Sequence, residues 1–87
     1  MRQPLQVTVD YELTHPATYV YYAPRPLAKA PKSTRIGHSV VVDVDRATGE
    51  LVGIELLDME SATLAAARQA AREHGAEFPA HLTAVPA

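Results

Sequence analysis

The chain has 87 residues, enough for one domain, and its 47% apolar and 21% charged content is that of a folded globular protein. A net charge of −2 supplies no field to draw in nucleic acid or anionic lipid, and the lack of cysteine rules out disulfides and thiolate metal sites. Chains this short bury only about 60–65% of the surface that their unfolded form exposes, so self-association would add useful burial.

No run approaches the ~20 apolar residues of a membrane helix. Met1-Arg2-Gln3-Pro4 leads into no signal-peptide core. With the absent cysteines, this gives the expectation of a cytoplasmic protein that touches no membrane.

From Leu5 the pattern alternates. Leu5, Val7, Val9, Tyr11 and Leu13 fall on one face, and Gln6, Thr8, Asp10 and Glu12 on the other, which predicts a half-buried strand. Thr14-His15-Pro16 interrupts it, because proline cannot donate to a ladder and biases the residue before it away from helix. A turn there returns Thr18 to Tyr22 as a second strand, with Tyr19 and Tyr21 on one face and Thr18, Val20 and Tyr22 on the other.

Ala23 to Lys32 carries Pro24, Pro26 and Pro31 among Arg25, Lys29 and Lys32, and reads as an extended, exposed connection. From His38 to Leu57, two apolar runs flank Arg46-Ala47-Thr48-Gly49-Glu50, the signal of a β-hairpin. A three-residue loop, Ala47-Thr48-Gly49, places Gly49 in the left-handed region and sets Arg46 opposite Glu50. The same register pairs Val44 with Val52, Val42 with Ile54 and Val40 with Leu56, and gathers all six on one face.

A helix follows, capped by Asp58 or Ser61, with Glu60 at its positive end. Leu64, Ala67, Ala70 and Ala71 form its apolar stripe, and Gly75 stands where a helix terminates. These elements predict an α+β fold: a four-stranded antiparallel sheet of two β-hairpins and one C-terminal helix. They span one domain over residues 1–75, with residues 76–87 a loose tail pinned by Phe78 or Leu82.

The hairpin sequence Val42-Asp43-Val44-Asp45, Gly49, then Leu51-Val52-Gly53-Ile54-Glu55-Leu56-Leu57-Asp58 resembles the signature of the bacterial family catalogued as domain of unknown function 2283. Tyr11, Ala17, Tyr19 and Val20 resemble that family's other mark, although Pro16 and Thr18 depart from it. The resemblance covers Tyr11 to Ser61. It implies the hairpin fold and no established activity. Because some members are encoded beside small toxin-like genes, it also implies a partner-binding role.

No catalytic set is visible. Counted as an EF-hand from Asp43, the loop offers Ala47 and Ile54 where oxygen ligands are required. His15, His38, His74 and His81 share no metal-pair spacing, Ser33, Ser39 and Ser61 sit in no nucleophile elbow, and the glycines are dispersed. Glu55 pairs with Val41 on the second sheet face rather than with a base or nucleophile. The reading is therefore of no catalytic residue, no cofactor and no metal.

Three functions stay open. The first is a non-catalytic interaction module that self-associates and binds a small protein partner, through Arg25, Lys29, Lys32 and Arg35. The second is a small enzyme or ligand-binding protein with its site at an oligomer interface. The third uses the basic proline-rich segment, with Tyr11, Tyr19, Tyr21 and Tyr22 as a stacking platform, to bind nucleic acid; Asp10, Glu12, Asp43 and Glu55 on the strands disfavour it. A homodimer is expected, sheet to sheet or through a shared edge, because one helix covers one sheet face while Leu51, Leu57 and Val41 leave apolar surface on the other.

Overall fold

The structure is a computed structural model that describes residues 1–10, 17–24 and 29–84. Among the described residues, five strands precede one helix: β1 (Gln6–Asp10), β2 (Ala17–Tyr21), β3 (Lys32–Ile36), β4 (Val40–Val44), β5 (Leu51–Leu56) and α1 (Ser61–Glu73). The four pairings between these strands are all antiparallel, and the order across the sheet is β1-β2-β5-β4-β3. The α+β class and the C-terminal helix stand as expected.

The strand count does not. β3 is a fifth strand, drawn from the end of the proline-rich connection and the residues after it. Its sequence, Lys-Ser-Thr-Arg-Ile, is exposed along its whole length. Burial patterning cannot reveal a strand that buries neither face. Tertiary pairing with β4 and the short Gly37-His38-Ser39 link form it instead.

Alternation sorts the sheet into a helix side and an open side. Val20, Val40, Val42, Ile54 and Leu56 are buried on the helix side. Against them pack Leu64, Ala67, Ala70 and Ala71, the four residues of the expected stripe. Small alanines let the helix approach β4 and β5 closely.

Two pairs of the hairpin register are as expected, Val40 with Leu56 and Val42 with Ile54. The third is not. A bulge between Asp43 and Val44 sets Val44 opposite Leu51, so Leu51 turns into the core, 1% exposed. One extra residue on one strand exchanges faces beyond it. This removes Leu51 from the open side, where the dimer expectation had placed it.

The connecting turn is longer than the three residues expected. Asp45 N–H donates to the Glu50 carbonyl at 2.8 Å, and Gly49 N–H donates to the Asp45 carbonyl at 2.9 Å. Gly49 has φ of +76°, the left-handed conformation required of it. Arg46 does not face Glu50: its Nε donates to the Ala30 carbonyl at 3.1 Å. The Asp45 carboxylate instead accepts from Ala47 N–H at 2.8 Å and Thr48 N–H at 3.0 Å. Those bonds, Thr48 first, hold its carboxyl below the usual carboxylate range.

Glu60 occupies the N-cap of α1 without a side-chain cap bond. Asp58 works from two residues earlier, accepting from Glu60 N–H at 2.9 Å and from the Thr63 hydroxyl at 2.5 Å. At the other end, Gly75 N–H donates to Arg72 and Ala76 N–H to Ala71, the paired closure of a Schellman motif.

Beyond the helix, Phe78 and Leu82 pack against the core, as their proposed pinning role requires. The Arg68 guanidinium lies 5.9 Å from the Phe78 ring centre and donates to the Leu82 carbonyl at 2.9 Å. Arg2 meets this segment from the other end of the chain. Its N–H donates to Gly75, its carbonyl accepts from Glu77, and its guanidinium reaches the carbonyls of Leu51 and Tyr22. The Tyr22 hydroxyl donates to the Glu77 carbonyl, and burial pushes its pKa up to about 12, against a smaller downward pull from Arg2.

Candidate interaction surface

The open side of the sheet is built around one close approach. The Tyr19 ring lies over Gly53, where any Cβ would overlap it. That position lets the Tyr19 hydroxyl donate to Asp43 Oδ2, while the Ser33 hydroxyl donates to Asp43 Oδ1 at 2.6 Å. The buried Asp43 carboxylate is thereby satisfied from both sides. Tyr21 leans on Tyr19, with ring centres 4.3 Å apart and planes 39° apart. Thus the open side is covered largely by its own aromatic and polar groups, and what it presents is amphipathic rather than apolar.

The four tyrosines do not make one platform. Tyr19 and Tyr21 share the open side, and Tyr22 is buried in the core on the other. Tyr11 and the turn expected at Thr14-His15-Pro16 lie outside the described residues. Glu55 stands opposite Val41 as expected, and also opposite Tyr19 on its other flank.

The basic residues are likewise divided. Arg25 lies outside the described residues. Lys29 lines a pocket of about 490 Å³ with Ala30, Pro31, Asp45, Arg46, Ala47 and Val52, and its charge adds a small downward pull on the Asp45 carboxyl. Lys32 stands opposite Val44, on the helix side, whereas Arg35 stands opposite Val41, on the open side. Lys32 and Arg35 therefore project from opposite faces of the sheet, and the structure does not bring them together. Among the described residues, no three His, Asp or Glu side chains are placed to hold a metal ion, and no helix is long and apolar enough to cross a membrane.

The two outer strands differ more than the faces do. β3 carries Lys32 and Arg35 and follows Pro31, the residue types with which proteins guard a sheet edge. β1 reads Gln-Val-Thr-Val-Asp, without Lys, Arg or Pro. Val9 is 39% exposed and Leu5, just before the strand, 62% exposed. Sequence reasoning identified β1 but gave it no role. The signal was there in the lack of Lys, Arg or Pro within Gln6–Asp10, but it acquires meaning only once β1 is known to be outermost.

No family model, curated protein or solved structure matches this chain.

Proposed function

We propose that this protein is a non-catalytic interaction module of the cytoplasm whose first partner is a second copy of itself. The observation that carries the reading is the unguarded edge at β1. An outer strand whose outward side pairs with no other described residue, with exposed Val9 and Leu5 beside it, is a template for another strand. The thin core of an 87-residue chain adds a reason for burial to be completed between chains.

Of the two expected contacts, sheet to sheet or through a shared edge, this reading keeps the edge. The open face has lost Leu51 to the core and is occupied by the Tyr19–Asp43–Ser33 network. Membership of the family that the β4–β5 hairpin resembles belongs to the same proposal, as does a small protein partner beyond the dimer. Sedimentation equilibrium at micromolar concentration tests it. A dimer mass is expected, and a monomer mass across that range overturns it.

A further inference from the structure

We propose that two copies join through β1 in one antiparallel register, with Thr8 facing Thr8 of the second copy across a two-fold axis. The inference rests on the self-association proposed above and specifies its geometry.

The register follows from where the backbone of β1 points. Tyr22 N–H donates to Val52, so Tyr22 turns its backbone toward β5. Backbone direction alternates along a strand, so Val20 does the same, while Tyr21 and Tyr19 turn toward β1. The Tyr21 carbonyl accepts Leu5 N–H at 2.7 Å, in agreement. Gln6 stands opposite Tyr21, Val7 opposite Val20, and Thr8 opposite Tyr19. Hence Gln6 and Thr8 bond inward, and Val7 and Val9 direct their N–H and C=O outward. Leu5 N–H is already used, so the outward set of the strand is Val7 and Val9.

An antiparallel partner must match outward groups with outward groups. Centring the pair on Thr8 sets Val7 against Val9 of the second copy and Val9 against its Val7, using every outward group of both strands. It also overlaps the whole of Gln6–Asp10 with itself. Shifting the centre to Val7 or Val9 leaves part of each strand unpaired. In the Thr8-centred register no position sets like charge against like charge, and the exposed Val9 lies beside a Val7 that already packs against the core. The resulting isologous contact closes, and it joins both five-stranded sheets into one. Pairing β1 with the β3 edge of another copy would not close and would set Lys32 and Arg35 along the seam.

Cysteine scanning tests the register, since the chain has no native cysteine to interfere. Facing residues at a non-hydrogen-bonded position of an antiparallel pair hold their Cβ atoms about 4.5–5.5 Å apart, within reach of a disulfide once the strands adjust. Oxidised Thr8→Cys should run as a covalent dimer, while Gln6→Cys and Val9→Cys should not cross-link. Val9→Pro removes an outward donor from each copy and should weaken association about thirtyfold, by sedimentation, with the folded circular dichroism signal retained.

A wild-type monomer defeats self-association itself. A wild-type dimer in which Thr8→Cys stays uncross-linked overturns the register alone. Mass that climbs without limit as concentration rises overturns the closed pair in favour of β1-to-β3 stacking. If Val9→Pro fails to fold, the Thr8→Cys result still decides.

Discussion

On the helix side of the sheet, Val20, Val40, Val42, Ile54 and Leu56 disappear beneath Leu64 and three alanines of α1. On the open side, Tyr19 lies over Gly53 and shares the Asp43 carboxylate with Ser33. The first arrangement is non-directional: its stabilisation scales with apolar area removed from water and tolerates shape-conserving exchange. The second is directional. It depends on one missing side chain, one ring orientation and one buried acid, and leaving a member unpaired costs the desolvation of that member. The difference implies that the helix side sets how stable the domain is, while the open side fixes how β2, β5, β4 and β3 align at one level of the sheet.

Truncation on the two faces gives the largest contrast. Ile54→Ala, at a residue with 0% exposure in the central strand, should cost about 2–5 kcal/mol in urea unfolding. Val41→Ala on the open side should cost about 0.5–1 kcal/mol. Equal losses would contradict the division of labour between faces.

The directional lock is sharpened by a double-mutant cycle. Gly53→Ala displaces the Tyr19 ring and should cost about 1–3 kcal/mol. Placed in a Tyr19→Ala background, the same change should cost far less, because the overlap is gone. Strict additivity of the two unfolding free energies would show that Tyr19 does not require Gly53.

Smaller still is Gly49→Val, expected to cost about 1 kcal/mol through its positive φ alone, since nothing stands within 4 Å of the added Cβ. An unchanged denaturation midpoint would reject the assigned turn.

The smallest effect is a pH dependence. Hydrogen bonds from the Ser39 hydroxyl, then the Thr63 hydroxyl and the Glu60 N–H, hold the Asp58 carboxyl below its ordinary value. Its folded pKa is depressed, so its contribution is complete above the ordinary carboxylate range and fades as pH falls through the lower folded value. Acid titration of stability should therefore flatten in Asp58→Asn relative to the parent. Parallel curves would mean that Asp58 contributes nothing through ionisation.

Much of the helix side was legible in the sequence, because period-two and helical stripes reflect the same water-exclusion that builds it. The β4–β5 pairing of Val42 with Ile54 and the stripe from Leu64 to Ala71 follow directly from that pattern. β3 was not legible, since Lys32–Ile36 buries nothing and owes its conformation to its neighbour. Nor was the bulge that sends Leu51 inward: one added residue leaves composition and periodicity unchanged up to the point of insertion. Gly53 could have been read as a sign of close approach within a strand. The polar lock needed the register to bring Tyr19, Asp43 and Ser33 to adjoining positions. The division of Lys32 from Arg35 likewise follows from β3 being a strand, in which residues an odd number of positions apart part company.

The clasp at Arg2 bears on the order of folding. Gln3 Nε2 reaches Glu77 Oε2 across 74 positions of sequence, beside the parallel bridge of Arg2 with Ala76. Closing so long a loop costs about 2 kcal/mol more chain entropy than closing the short Asp45-to-Glu50 turn. Hairpins and helix can therefore assemble first, and the clasp is left to zip shut over a sheet that already exists. By the same reasoning it is the first seam to reopen. Amide hydrogens at Glu77 should exchange with solvent through a shallow, local opening, while those of Ile54 wait for the whole domain to unfold.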